Sequence, residues 1–359
     1  MLKVAIKPQW TFASPDGAII LPRLLEILVA ISREGNLAAA CRSLAMSYRH
    51  AWGIVREGQI LFGTPLVTME RGRGSELTEL GQKLVWADRR VAARLGPSLD
   101  SLASELEAEI ESIARSAGSI LHIHASHGFA VETLRAFLVK AQVPIDLKYR
   151  SSLEAAASFA NGGCEIAGFH VPLGVFEKPM LAHYAPYLRG KDTRLIHLAT
   201  RRQGMMVAPG NPKKIDGLSA LSRPGVRFIN RQQGSATRLL LDLLCEKAGV
   251  DIAKVQGYQE GEYTHAAVAA FIASGMADAG FGIETPARHF NLGFIPLETE
   301  RYFLACRAEG LRLAQIREIV QILSSRQYRQ AVNELAGYDA EGSGTVQTLA
   351  QAFPGWARA

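Results

Sequence analysis

The densest cluster of groups able to hold a small charged molecule is Phe228-Ile229-Asn230-Arg231-Gln232-Gln233-Gly234-Ser235-Ala236-Thr237-Arg238. The pattern is a strand, a polar turn through Gly234 and a helix that starts at or near Ser235. The first backbone N–H groups of a helix have no partner inside it, and the aligned peptide dipoles make that end positive. Ser235 and Thr237 add hydroxyl donors, Arg231 and Arg238 add charge, and Asn230 belongs to the same run. The chemistry implied is the holding of an anion. A plain helix cap with arginines in surface ion pairs has the same local pattern.

Three other loops are predicted at equivalent strand-to-helix positions: Ser126-His127-Gly128, Gly168-Phe169-His170 and Tyr263-Thr264-His265. In open α/β sheets, ligands collect beyond the C-terminal ends of the strands. The candidate ligand set is therefore Ser126, His127, His170, Asn230, Arg231, Ser235, Thr237, Tyr263, Thr264 and His265. A single histidine at such a place is as readily structural. No histidine pair spans these loops at metal-ligand spacing, and His122-x-His124 alternates along one strand face, so neither a metal nor a cofactor is expected. Nor is an enzyme. There is no G-x-S-x-G elbow and no Walker loop, and Gly257, Gly261 and Gly275 do not build a dinucleotide fingerprint. Asp278 and Glu284 are a conceivable acid pair, but Asp278 opens a strand and reads as structural.

A second cluster is basic. No carboxylate occurs from Gly35 to Arg56, while Arg42, Arg49 and Arg56 all do. The segment NLAAACRSLAMSYRHAWGIV reads as two short helices and a tight turn at Ala45-Met46, with Asn36 and Ser47 as caps. Ala38, Ala39 and Ala40 allow the helices to approach closely. Arg42 and the second helix start (Ser47, Tyr48, Arg49, His50) are then placed to meet base edges or phosphates of duplex DNA. Trp52 reads as core. Arg71-Gly72-Arg73-Gly74 is the tip of a hairpin, and Arg71 and Arg73 suit a wing on the DNA backbone or minor groove. An ordinary basic helical hairpin would share these spacings.

These residues need scaffolds of different rhythm. Val4 to Ile6 and Ala18 to Leu21 flank a turn at Ser14 to Gly17 and predict a hairpin. Helices are predicted at about Pro22 to Glu34, Leu37 to Leu44 and Tyr48 to Phe62, with a second hairpin over Leu66 to Leu77. Thr78 caps a long helix that Gly96-Pro97 should interrupt, and Leu80, Leu84, Val91 and Leu95 offer it a dimer seam. Ala117-Gly118-Ser119 reads as the boundary. Beyond it strands and helices alternate, which indicates an α/β fold with a largely parallel sheet.

The chain has 359 residues, enough for two domains at roughly 150 residues each. Its net charge of +6 permits a nucleic-acid partner without requiring one. Cys41, Cys164, Cys245 and Cys306 form no CxxC pair and read as buried reduced thiols. Met1 to Trp10 lacks a signal-peptide core, and no apolar run approaches the roughly 18 residues of a membrane span. A cytoplasmic protein with no membrane partner is expected.

The pieces SYRHAW, FGTPLV and GSELTELG, in that order within Leu21 to Leu84, closely resemble the N-terminal domain of molybdate-responsive ModE-type regulators and, more distantly, LysR-type regulators. The wing RGRGSELT is shorter in glycine than in many members. FINRQQGSATRLLLD, EGEYTHAAVAAFIASGMADAGFGIE and FIPLETERYFLAC resemble the periplasmic-binding-protein-like sensor domain often fused to them. The resemblance implies a winged helix-turn-helix over 1–84, a linker and dimerisation helix over 85–118, and a two-lobed type II periplasmic-binding-protein-like α/β domain over 119–359, with ligand between lobes joined by crossover strands. It further implies a homodimer or dimer of dimers on double-stranded DNA, and a small-anion effector. Molybdate or tungstate, with control of molybdenum-related genes, is the first expectation. Formate, with control of a molybdoenzyme operon such as formate dehydrogenase, is the alternative, and a small-molecule binding protein that does not touch DNA is the alternative of another class.

Overall fold

The computed structural model describes residues 3–13, 19–70, 74–114, 120–188 and 191–354. The chain forms two compact units, Lys7–Ala93 and Arg94–Ala359, the latter with residues 1–6. The expected boundary at 117–119 and the turn at 14–17 lie outside the described residues.

In the first unit, β1 (Phe12–Ala13) and β2 (Ile19–Ile20) make a short antiparallel pair. This corrects the expected hairpin: residues Val4 to Ile6 form no strand, and the Val4 N–H goes instead to the Glu107 carboxylate at 2.8 Å. Helix α1 (Leu24–Glu34) buries Leu24, Ile27, Leu28 and Ile31 and stops at Gly35, whose φ of +81° is open to glycine. Asn36 caps α2 (Leu37–Ser43) by accepting from the Ala39 N–H at 2.8 Å. Ser47 caps α3 (Tyr48–Phe62) by accepting from the His50 N–H at 3.3 Å. Gly58 is needed for packing: a Cβ there would lie 2.7 Å from Leu24 Cδ2. Strands β3 (Val67–Glu70) and β4 (Gly74–Leu77) form the wing, paired from Val67↔Leu77 to Glu70↔Gly74. Thr78 Oγ1 accepts from the Gly81 N–H at 3.2 Å and starts α4 (Glu79–Ala114).

Helix α4 runs through Pro97 without a break, against expectation. Proline removes one backbone donor at a cost of about 3 kcal/mol, but intact helical bonding on both sides outweighs one lost bond. The expected seam is corrected at two of its four positions, while Leu95 is exposed as expected. Leu80 and Leu84 pack against the core of the first unit, where Val85 is buried, so they are spent inside it. The exposed apolar row lies further along, at Leu95, Leu102, Leu106 and Ile110.

The second unit holds β5 (Leu121–Ala125), α5 (Phe129–Lys140), β6 (Ile145–Tyr149), α6 (Ser152–Ala160), β7 (Ile166–Pro172), α7 (Glu177–Tyr184), β8 (Thr193–Val207), β9 (Phe228–Arg231), α8 (Ala236–Lys247), β10 (Gly261–Glu262), α9 (His265–Ala273), β11 (Ala279–Ile283), α10 (Glu284–His289), β12 (Gly293–Arg307), α11 (Ala314–Ser324), α12 (Arg326–Asn333), β13 (Tyr338–Asp339), β14 (Val346–Thr348) and α13 (Leu349–Ala352). The strand order is β10-β9-β11-β8-β12-β7-β5-β6, with β13 and β14 also on β8. Parallel pairs at each end, β6-β5-β7 and β10-β9-β11, define two lobes. The long strands β8 and β12 run antiparallel through the middle and join them, so the sheet is mixed rather than largely parallel. Fifteen residues carry each of these strands past one lobe and into the next, which a local reading of strand and helix alternation does not register.

The edge strand β6 is covered by α4. The Leu147 N–H donates to Ser104 Oγ at 2.8 Å, and the Tyr149 N–H to Ser101 Oγ at 2.9 Å. Two serines thus satisfy edge donors that an uncovered strand would present to other chains. For this reason α4 from Arg94 onward belongs with the sheet.

Candidate functional site

Most of the predicted ligand residues meet in one cavity of about 450 Å³. Its walls come from the strand-to-helix turns: Ser126 and His127 before α5, Ser235 and Thr237 at α8, and Tyr263, Thr264 and His265 at α9. His170 and Arg231 also line it. Two members of the predicted set are placed otherwise. Asn230 is fully buried off the cavity, where its Nδ2 donates to the Tyr258 carbonyl and its Oδ1 accepts from the Arg231 N–H. It therefore shapes the loop and is removed from the ligand set. His170 lies within β7 rather than in a loop, and its side chain reaches the cavity from the strand.

Three helix starts point at this space. Ser235 Oγ accepts from the Arg238 N–H at 3.1 Å, and Thr264 Oγ1 from the Ala267 N–H at 2.9 Å. Ser151 makes a full capping box with Glu154 at α6. Each cap uses the third N–H of its helix, so the first two still face outward with the positive dipole end. Because Ser235 Oγ accepts in its cap, and Thr237 Oγ1 accepts from Gln203 Nε2 at 3.4 Å, their hydroxyl protons remain for donation.

Beneath the cavity lies a buried charge cluster. Glu300 meets Arg201 through Nε and His170 through Nδ1, the latter at 2.7 Å. Burial alone would raise the Glu300 carboxyl, but Arg201 and then His170 hold it down at about 2. Arg201 is also buried, yet Glu300 keeps its guanidinium above the usual value. Arg231 is different. It is 7% exposed, its Nε donates to the Glu262 carbonyl at 3.2 Å and its Nη2 to the Tyr263 carbonyl at 2.8 Å. Among the described residues no carboxylate lies within ion-pair reach of it. Burial, then repulsion from Arg201, push it down to about 9, still charged at neutral pH. His265 is lowered well below its ordinary value by burial and then by Arg231 and Arg201. Its Nδ1 accepts from the Ile283 N–H at 3.4 Å, which leaves the proton on Nε2 as a donor. His170 is lowered as well, chiefly by burial.

The sequence reading overlooked the turn after β6, which brings Tyr149, Arg150, Ser151 and Ser152 to the cavity, and Arg94, Pro97 and Ser98 of α4. The β6 turn follows the same strand-end rule as the others and was legible by it; the α4 residues carry no such signal. Arg238 turns away to Gln259 Oε1 at 2.9 Å. The conceivable acid pair is absorbed by arginines, Asp278 by Arg227, and Glu284 by Arg202 and Arg288.

In the first unit, Arg42, Ser47, Tyr48, Arg49 and His50 are all exposed, around the start of α3. Among the described residues no carboxylate pairs with Arg42, Arg49 or His50. Trp52 is half-buried against the core, as its spacing suggests. Arg71 and Arg73 lie outside the described residues.

Residues 135–324 match the PBP superfamily domain, and residues 22–82 match the bacterial regulatory helix-turn-helix protein, lysR family. Over 203 residues the chain is 34% identical to the uncharacterized protein YvgK of Bacillus subtilis (strain 168), a stretch covering 55% of this chain and 64% of YvgK. It is 31% identical over 145 residues to the molybdenum-pterin-binding protein MopB of Rhodobacter capsulatus, covering 39% of this chain and 53% of MopB. The chain thus spans less than two thirds of either relative. A solved OxyR mutant of Corynebacterium glutamicum with hydrogen peroxide bound aligns over 87% of this chain and 94% of its own, at 13% identity and a TM-score of 0.45. With one match spanning more than half of the chain and the other covering the helix-turn-helix, the protein belongs to the PBP superfamily and carries a helix-turn-helix of the lysR family.

Proposed function

We propose that the two-lobed unit senses a small anion, with molybdate or tungstate the leading effector, and that occupancy sets how the helix-turn-helix engages DNA at molybdenum-related genes. The observation that carries this reading is Arg231, a buried guanidinium bonded only to neutral oxygens and set on the cavity wall beside the hydroxyls of Ser235 and Thr237. A buried cation without a counter-charge costs several kcal/mol. An anion in the cavity would neutralise it and would also take up the outward N–H groups of the helix starts. MopB, by its name a molybdenum-pterin-binding protein, supports the choice of a molybdenum oxyanion. The single net charge of Arg231 also suits a monoanion, which supports formate as the second reading.

Calorimetric titration of the full chain, freed of carried-over ligand, with molybdate, tungstate, sulfate and formate tests this. Binding of molybdate and tungstate is expected. Binding of formate alone selects the second reading, and heat from none of the four removes the anion assignment.

On the DNA side, the proposal places Ser47, Tyr48, Arg49 and His50 in the major groove, with Arg42 on phosphate and the wing alongside. A dimer would then present two such helices to half-sites about one helical turn apart. An electrophoretic shift with the protein's own upstream DNA should weaken steeply as salt rises. Absent binding would leave a small-molecule binder that does not act on DNA, and salt-insensitive binding would remove the proposed phosphate contacts.

A further inference from the structure

Helix α4 is more than a spacer, because part of it lines the ligand cavity. Arg94, Pro97 and Ser98 form one wall. By helical spacing they share a face with Ser101 and Ser104, the two serines that take the β6 edge donors. Ion pairs from Lys148 to Glu105 at 3.3 Å and from Arg135 to Glu107 at 3.4 Å fix the same stretch to the first lobe. From that fixed helix, Arg94 extends to the second lobe, where its Nε lies 3.7 Å from Glu262 Oε2.

That contact is incomplete on both sides. At 3.7 Å it is an ion pair but not a hydrogen bond. Glu262 Oε2 is buried and has no hydrogen-bond partner. The Arg94 side chain is half exposed. Glu262 is also joined to the site itself: its main-chain oxygen takes the Arg231 Nε–H, and Tyr263, Thr264 and His265 follow it directly.

We propose that Arg94 is shared between the Glu262 carboxylate and the anion bound in the cavity, so that ligand occupancy is registered by α4 itself. Glu262 and the anion compete for one guanidinium, whose planar fork suits either partner. An anion that draws Arg94 inward changes the tie between the helix fixed to the first lobe and the second lobe. The same helix continues N-terminally to the end of the wing, which gives the change a covalent route toward the DNA-binding unit. This rests on the anion reading above.

The test is calorimetric titration of molybdate, and of formate in parallel, into the full-length wild type and the variants Arg94→Gln, Arg94→Lys, Glu262→Gln and Arg231→Gln. Arg94→Gln should weaken binding about tenfold, since hydrogen bonds to charged groups contribute about 1.5 kcal/mol or more. Arg94→Lys should recover part of the loss. Glu262→Gln should tighten binding by roughly threefold or more, because it removes the competitor. The opposite signs are the diagnostic, since a pair that merely held the lobes together would give losses in both variants. In gel shifts, Arg94→Gln should blunt the response of DNA affinity to the anion. Wild-type binding that Arg231→Gln weakens about 10–100-fold, with Arg94→Gln and Glu262→Gln both within twofold of wild type or both weaker, overturns the role of Arg94 and leaves the anion reading in place. No binding of either anion by wild type overturns both.

Discussion

Two buried guanidiniums a short way apart are used differently, and that difference defines the site. Arg201 is consumed by Glu300, with the Tyr302 ring alongside its guanidinium. Arg231 donates to the neutral carbonyls of Glu262 and Tyr263 and lines the cavity. Arg201→Gln should therefore cost stability, about 3–5 kcal/mol by urea unfolding, because it strands Glu300 in the interior. Arg231→Gln should leave the circular dichroism spectrum intact and lower anion affinity about 10–100-fold by calorimetry. The buried histidines set the response to acid. His170 and His265 have folded values below 6.5, so below about pH 6.5 the unfolded chain takes up protons that the folded chain refuses. Stability should then fall as pH drops through 6 toward 5. Glu300, held at about 2 against 4.5, adds a second loss between those values, fully felt once pH falls through about 2. Melting temperatures taken at pH 7.5, 6, 5 and 4 check the direction; a flat profile would contradict it. Among these residues the arginine and hydroxyls of the 230s loop were readable from type and spacing. The Glu300 and Arg201 pair was not, because its members lie 99 positions apart and meet only across β8 and β12.

At the scale of elements, local chemistry and structure agree wherever a cap decides the outcome. Asn36, Ser47 and Thr78 each start the helix that follows, and Gly35 and Gly63 end the ones before. The turn of the helix-turn-helix is less relaxed. Ala45 sits at φ +50°, a left-handed conformation that costs an L-residue about 1–2 kcal/mol. It is exposed, so removing its methyl gives up no packing. Ala45→Gly should stabilise the first unit by about 1 kcal/mol in chemical denaturation, a net value reduced by the entropy of glycine in the unfolded chain. The failures are also local in origin. Pro97 suggested a break, yet one lost backbone bond does not end a helix held along both flanks. Leu80 and Leu84 had the spacing of a seam, but spacing along a helix cannot say which face the first unit already covers.

For the molecule as a whole, a ligand that binds only the folded sensor must stabilise it by mass action, about 2.7 kcal/mol at a concentration of 100 Kd. Scanning calorimetry should show the melting transition of the sensor rising with added molybdate, and not with sulfate if the site discriminates between them. The sequence alone determined the two-part plan, the cap-to-cap course of the helix-turn-helix, the helix start capped by Ser235 and the alternating rhythm of the second half. It could do so because caps, glycine stops and apolar periods act between near neighbours. Tertiary structure decided the mixed sheet and moved Asn230 out of the cavity. It also buried Arg231 with no carboxylate in ion-pair reach among the described residues, and brought α4 to the cavity wall with Arg94 facing Glu262. Burial and charge balance depend on which distant segments surround a group, and that information exists only once β8 and β12 have joined the two lobes.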